Sequence, residues 1–184
     1  MGEMKMKIRK LCVSTFCFLL ILTVQIQADA PPTRFEDKLD GTVLDKRTGL
    51  IWQICAAGLG SHNGSGRSTC GMSSGNLSGN ADQHHWGDAL RYCNGDLSKK
   101  PPVLPAGKTW RLPNINELKS IVDRSQLNPA MDTSVLIAGG DYYWASTTAS
   151  WNLANAWTVN FLYGSAYMTS TKDWGYYVRC VAGP

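Results

Sequence analysis

The sequence predicts an α+β domain on a small antiparallel sheet, with two helices packed against it. Three observations lead there. Two β-prone runs near the start flank a glycine-ended connection, the middle holds two helical segments with apolar faces, and the last third holds four β-prone runs.

The elements follow in order. Thr42–Asp45 and Leu50–Ile54 are the β-prone pair, and Lys46–Gly49 between them reads as a hairpin connection. Residues 56–83 are rich in Gly, Ser and Asn and read as a long surface insertion. In the next segment Trp86, Ala89, Leu90 and Cys93 recur at helical spacing, and Asn94-Gly95 ends the helix. Residues 96–108 carry three prolines and form a loop. Thr109–Leu112 is a short strand stopped by Pro113. Asn114 then reads as an N-cap with Glu117 completing a capping box, and Ile115, Leu118, Ile121 and Val122 form the apolar side of a second helix. Residues 123–141 are loop-like. Tyr142–Ser146, Ala156–Phe161, Ala166–Thr169 and Tyr176–Val181 are strands, with Tyr163–Ser165 as a tight turn. In the second of these, Trp157, Val159 and Phe161 alternate with Thr158 and Asn160, which predicts one buried and one wet face.

The chain has 184 residues and a formal net charge of +4, a length that suits one domain. Lys5–Lys10, the apolar run Leu11–Val24 and a small residue at Ala28 have the layout of a secretory signal peptide over residues 1–28. Cys12 and Cys17 would leave with it. Without that segment 14 basic residues face 13 acidic ones, a balance that argues against a phosphate-neutralising nucleic-acid binder. No later run is long enough to span a bilayer, so no transmembrane anchor is expected after cleavage. Residues 29–40 read as a polar leader, and residues 41–182 as the domain. The expected location is secreted, periplasmic or on the cell surface.

Export makes the four remaining cysteines, Cys55, Cys70, Cys93 and Cys180, candidates for disulfides. Four cysteines allow three pairings. The organisation favours Cys55–Cys70, which ties the first half of the insertion, and Cys93–Cys180, which staples the first helix to the last strand.

The blocks "GLIWQ" (Gly49–Gln53), "W-x-x-A-x-x-YC" (Trp86–Cys93), "WRLPN-x-x-EL" (Trp110–Leu118), "NPAMD" (Asn128–Asp132), "YYWASTT" (Tyr142–Thr148), "NAWTVNF" (Asn155–Phe161) and "YYVRCV" (Tyr176–Val181) occur in one order. Together they resemble the Lcl C-terminal domain family, named from the C-terminal part of a bacterial collagen-like adhesin. The resemblance implies a C-type-lectin-like fold, related to the formylglycine-generating (sulfatase-modifying) group. In such folds a disulfide commonly joins the first helix to the last strand, in agreement with Cys93–Cys180. The chain departs from the pattern in its long cysteine-tied insertion and in having no collagen-like stalk.

No catalytic constellation emerges, so no enzyme activity, cofactor or metal is expected. Gly71–Gly75 matches G-x-S-x-G but sits in a Gly/Ser loop, without the strand and helix a nucleophile elbow needs. His84-His85, with His62 or Asp82, could ligate a metal, but a solvated helix start is the simpler reading. The Glu-Pro-Asn, Gln-Pro-Asp and Trp-Asn-Asp motifs of calcium-bridged sugar binding are absent, and so is a reactive cysteine pair near the end of the chain. Asn63 and Asn76 fit the N-glycosylation pattern. Arg111 and Arg179 read as parts of a buried or half-buried salt-bridge arrangement with Glu117. The candidate ligand-binding residues are Trp151, Tyr163, Tyr167 and Trp174, with Asn152, Asn155 and Asp173 as hydrogen-bonding neighbours. The expected function is therefore a non-enzymatic binding module for a glycan or cell-surface protein. The alternative is a structural or assembly component of the cell envelope.

Overall fold

The computed structural model describes residues 34–59, 70, 81–102, 104, 107–133, 136 and 140–183. Residues 1–33, which include the expected signal segment, and most of the 56–83 insertion, with His62, Asn63, Gly71–Gly75 and Asn76, lie outside them.

Two five-stranded sheets and two helices form the described fold. The first sheet contains β1 (Phe35–Asp37), β2 (Thr42–Asp45), β3 (Leu50–Gln53), β10 (Val181–Ala182) and β5 (Trp110–Arg111), in that spatial order and antiparallel throughout. The second contains β4 (Gln83–His84), β9 (Tyr176–Tyr177), β6 (Tyr142–Thr148), β7 (Asn155–Asn160) and β8 (Ser165–Thr171). It too is antiparallel, except where β9 runs alongside β6. The single small sheet expected from sequence is thus two sheets. Phe35–Asp37, assigned to the polar leader, pairs with β2 as an edge strand.

The hairpin forms where expected. Asp45 accepts from the Arg47 amide and the Thr48 hydroxyl, and the Gly49 amide returns to the Asp45 carbonyl. The buried Asp45 carboxylate also takes two bonds from Arg34, at 2.9 and 2.6 Å. The helix α1 spans Trp86–Asn94 and ends on Gly95, whose φ of 80° is left-handed. The Gly95 and Asp96 amides then satisfy the carbonyls of Tyr92 and Arg91. Ala89, Tyr92 and Cys93 are its buried residues, while Trp86 and Leu90 are half-buried. Tyr92 faces inward because its hydroxyl accepts from the buried Gln53 amide at 2.9 Å.

The helix α2 spans only Ile115–Ser120, so Ile121 and Val122 lie past its end, although Ile121 is still buried. Its capping box is complete: the Asn114 side chain accepts from the Glu117 amide at 2.9 Å, and Glu117 accepts from the Asn114 amide at 2.8 Å. Arg111 closes on Glu117 with two bonds of 2.7 and 2.6 Å.

The run Tyr176–Val181 is not one strand. β9 belongs to the second sheet and β10 to the first, and Val178–Cys180 between them carries the chain across. That crossing is held by Ala57 N–H to Val178 O at 2.9 Å and Gln53 N–H to Cys180 O at 3.1 Å. Arg179 does not join Glu117. It is fully buried and donates to the Gln53 and Ile54 carbonyls.

Both favoured disulfides are present, each with a Cα–Cα distance of 5.5 Å. Cys93–Cys180 ties α1 to the crossing segment just before the last strand. At the base of the insertion Asp82 N–H donates to Ala57 O at 2.8 Å. Gly58, with a φ of 85°, lies against Asp82 so closely that a Cβ would come within 2.5 Å of it. One apolar core joins Trp52, Leu118, Tyr143 and Phe161, and a second gathers Tyr92, Trp144, Val178 and the Cys93–Cys180 bridge.

Two half-buried or buried carboxylates give the fold an acid limb. Burial by itself would raise both Asp45 and Glu117, but the bonds from Arg34 and Thr48 to the first, and from Arg111 and Asn114 to the second, hold both below their ordinary values. The unfolded chain therefore binds more protons, and stability is lost as pH falls below about 4 and through the depressed folded values. Urea midpoints measured from pH 7 to 3 should fall in that window. Asp45→Asn should lower the midpoint at pH 7 and flatten its dependence on pH, and an unchanged pH profile would contradict the assignment.

Candidate functional site

The second sheet places an aromatic cluster on one of its faces. Trp144 is opposite Thr158 and Thr158 opposite Tyr167, while Tyr142 is opposite Asn160. Cross-strand partners share a face, so Tyr142, Trp144, Thr158, Asn160 and Tyr167 project together. The rings of Tyr142 and Tyr167 meet with centroids 5.6 Å apart, although β7 lies between their strands. Their contact therefore passes over β7. Tyr176 continues the cluster, 5.3 Å from Tyr142 and 4.8 Å from Trp144, and Trp174 sits 6.3 Å beyond it.

This aromatic layer overturns the expected wet face of β7. Thr158 and Asn160 are buried, with 0% and 2% exposure, because rings from β6 and β8 lie over them. Their polar atoms are satisfied locally. Thr158 shares a 2.9 Å bond with the Ser170 hydroxyl, and Asn160 accepts from the Leu162 and Tyr163 amides. Trp144 anchors the layer from below, fully buried, its indole N–H donating to His84 O at 2.8 Å. Burial pushes the Tyr176 phenol above its ordinary pKa, and a bond with Ser170 opposes the rise.

The candidate residues divide into two groups. Tyr167 and Trp174 belong to the cluster, with 39% and 60% exposure. Trp151, 59% exposed in the β6–β7 turn, donates its indole N–H at 3.2 Å to the sulfur of Met168, the residue after Tyr167. Asp173 is exposed beside Trp174. Asn152 is exposed, but its carboxamide oxygen is occupied by the Ala154 amide at 3.0 Å. Asn155 is buried at the start of β7. Tyr163 stands apart in the β7–β8 turn, at the far end of β7 from Trp151. The two turns around Trp151 and Asp173 are tied together by Lys172 N–H to Ala154 O at 2.9 Å.

Sequence reasoning treated Tyr142, Tyr176 and Met168 only as strand residues. The Tyr142/Trp144 alternation was the signal that could have found the first of them, because it puts two aromatic rings on the face opposite Tyr143.

His84 is not part of a solvated helix start. It lies in β4, its ring stacked on Tyr92 at 5.5 Å with Nε2 buried, and burial lowers its pKa against opposing carboxylates at Asp82 and Asp88. Among the described residues no group of three His, Cys, Asp or Glu side chains is placed to hold a metal ion. A separate cleft of about 550 Å³ lies between the end of α1 and β5, lined in part by Lys100, Lys108, Trp110 and Arg111. Its polar groups are partly used within the chain: Trp110 donates to Pro102 O at 2.6 Å and Arg111 is paired with Glu117. No described helix is long and apolar enough to cross a membrane.

No curated protein and no solved structure matches the chain. The family model of the Lcl C-terminal domain matches residues 41–182, from the residue before β2 to the end of β10, and the chain belongs to that family.

Proposed function

We propose that this chain is an exported, non-enzymatic binding module that recognises a glycan or a cell-surface protein, and that a glycan is the better fit. The observation that carries this reading is the aromatic face itself: Tyr167 and Trp174 are exposed but braced by Tyr142, Tyr176 and the buried Trp144. Braced rings lose little entropy on binding, and their apolar faces suit the C–H faces of sugar rings while phenol hydroxyls supply directional bonds. Export is supported by the signal-like N-terminus and by two disulfides, which persist in oxidising compartments. A C-type-lectin-like fold, related to the formylglycine-generating group, is the finer architecture we infer. Its support is the pair of antiparallel sheets with two helices, together with the bridge from the first helix to the segment before the last strand. Fold alone does not assign a ligand.

The test is a glycan array on oxidised protein, run with calcium and with chelator. Tyr167→Ala and Trp174→Ala should each weaken binding at least ~10-fold, the scale of losing one buried aromatic anchor, with the fold intact by circular dichroism. Trp151→Ala should weaken it less, and Tyr163→Ala should leave it unchanged. A blank array from folded protein would overturn the glycan reading in favour of a protein partner or a role in envelope assembly.

A further inference from the structure

We propose that His84 is a proton-operated latch: neutral, it seats β4 on β9, and protonated, it releases β4 and the adjoining base of the insertion from the second sheet. β4 is an edge strand of that sheet and only two residues long. Its ladder consists of the pairs Gln83–Tyr177 and His84–Tyr176. So short a pairing depends on the contacts around it. The His84 carbonyl accepts from the buried Trp144 indole at 2.8 Å, and the His84 ring stacks on Tyr92 with centroids 5.5 Å apart and planes at 28°. Two residues before His84, the Asp82 amide donates to Ala57 O and closes the base of the insertion.

The ring has no place for a second proton. Its Nε2 is buried without a hydrogen-bond partner. A neutral imidazole leaves that nitrogen bare by carrying its hydrogen on Nδ1, whereas an imidazolium carries hydrogen on both. Protonation therefore creates an N–H donor that nothing accepts, and a charge where burial has removed water. The surrounding charges do not offset this. Asp82 is paired with Lys99 at 2.7 Å, and Asp88 on α1 with Arg91 at 3.1 Å. Lys99 repels an imidazolium, Tyr92 on α1 and Tyr176 on β9 are phenols held above their ordinary pKa, and Arg179 bears on Tyr92. Burial outweighs the attraction of Asp82 and Asp88, so His84 in the seated strand titrates below its ordinary value. The released strand titrates near the ordinary value of about 6.5 and takes up the proton first. Seating is thus favoured above that pH and weakens as pH falls from there toward the depressed value. The window lies above the acid limb set by Asp45 and Glu117. The opening is local, because two residue pairs hold β4 while longer ladders join β6, β7 and β8. It also removes the strand beside Tyr176, and so loosens the aromatic face. The latch stands whether or not that face binds a glycan.

Proton NMR of the oxidised full chain should show the His84 ring titrating with a midpoint below the ordinary 6.5. Between about pH 7.5 and about pH 5.5, the protection of amides 82–84 and 176–177, corrected for the pH dependence of free exchange, should fall about 10-fold, while that of 42–45 and 50–53 stays level. The Trp144 indole N–H should exchange faster in step. His84→Gln and His84→Phe, which cannot take up the proton, should abolish the fall, and His85→Gln should leave it in place. If both His84 variants are already open near neutral pH, the midpoint and the place of the fall in the unaltered chain decide. A midpoint at or above 6.5 would overturn the proposal. So would protection that does not fall, a fall spread over both sheets, or one that persists in both His84 variants.

Discussion

Removing the Cys93–Cys180 bridge as a Cys93→Ala/Cys180→Ala double variant is expected to destabilise the protein by about 4–5 kcal/mol in the chain-entropy model. The bridge closes 87 residues of separation, against 15 for Cys55–Cys70, and the same model gives roughly 3 kcal/mol for the shorter ring. The structure adds a local reason for the difference. Cys180 follows Arg179 at the crossing between sheets and packs in one cluster with Tyr92, Trp144 and Val178. Without the bridge, α1 is held by packing and the Gln53–Tyr92 bond, and the crossing segment by the Gln53–Cys180, Ala57–Val178 and Arg179–carbonyl bonds. A loss of this size corresponds to roughly 10–20 °C in Tm for a domain near 150 residues. Thermal and urea unfolding of the two double variants, with oxidised wild type as reference, would measure both. A larger loss for Cys55→Ala/Cys70→Ala than for Cys93→Ala/Cys180→Ala would contradict the account.

The two pairings were legible in the sequence because each cysteine sits in a recognisable local context. The hairpin and the α2 capping box were legible for the same reason: Gly49, Asn114 and Glu117 act through neighbours three or four residues away. What could not be read was set by distant partners. Tyr176–Val181 has the composition of one strand, yet it divides, since Tyr177 pairs with Gln83 while Val181 pairs with Trp52 and Arg111. Alternation along β7 predicted a wet face, and Tyr142 and Tyr167, from strands on either side, cover it. Of the seven candidate site residues, Tyr167 and Trp174 are drawn into one cluster through Tyr142, which only its alternation with Trp144 marks, and Tyr176, which no local pattern singles out. Exposure of loop aromatics was readable; their bracing was not.

Arg179 is the position where a general rule and this structure give opposite expectations. A buried cation loses its hydration, and burial does pull its pKa down, with Tyr143 and Tyr92 opposing. Replacing such a group by an apolar side chain of similar length is often neutral or stabilising. Here the guanidinium donates to the carbonyls of Gln53 and Ile54 at the end of β3, and it lies 5.8 Å from the ring of Tyr143 on β6. It thus bridges the two sheets at the point where the chain crosses between them. Arg179→Met would relieve one desolvated charge but leave two buried carbonyls short of a donor, at about 1–3 kcal/mol each. The expected outcome is a loss of about 3 kcal/mol for Arg179→Met. Arg179→Lys should lose about 2 kcal/mol, because a single ammonium does not reproduce the fork geometry. Urea midpoints with an unchanged m-value would measure both. The consequence should reach the aromatic face as well. Tyr143 alternates with Tyr142 and Trp144 on β6, so loosening its ring shifts the strand that carries the cluster. The near-ultraviolet dichroism of the cluster should therefore weaken in Arg179→Met even under conditions where the chain is fully folded. A neutral or stabilised Arg179→Met would instead mean that packing alone holds the two sheets together, and that the charge is a cost the fold tolerates.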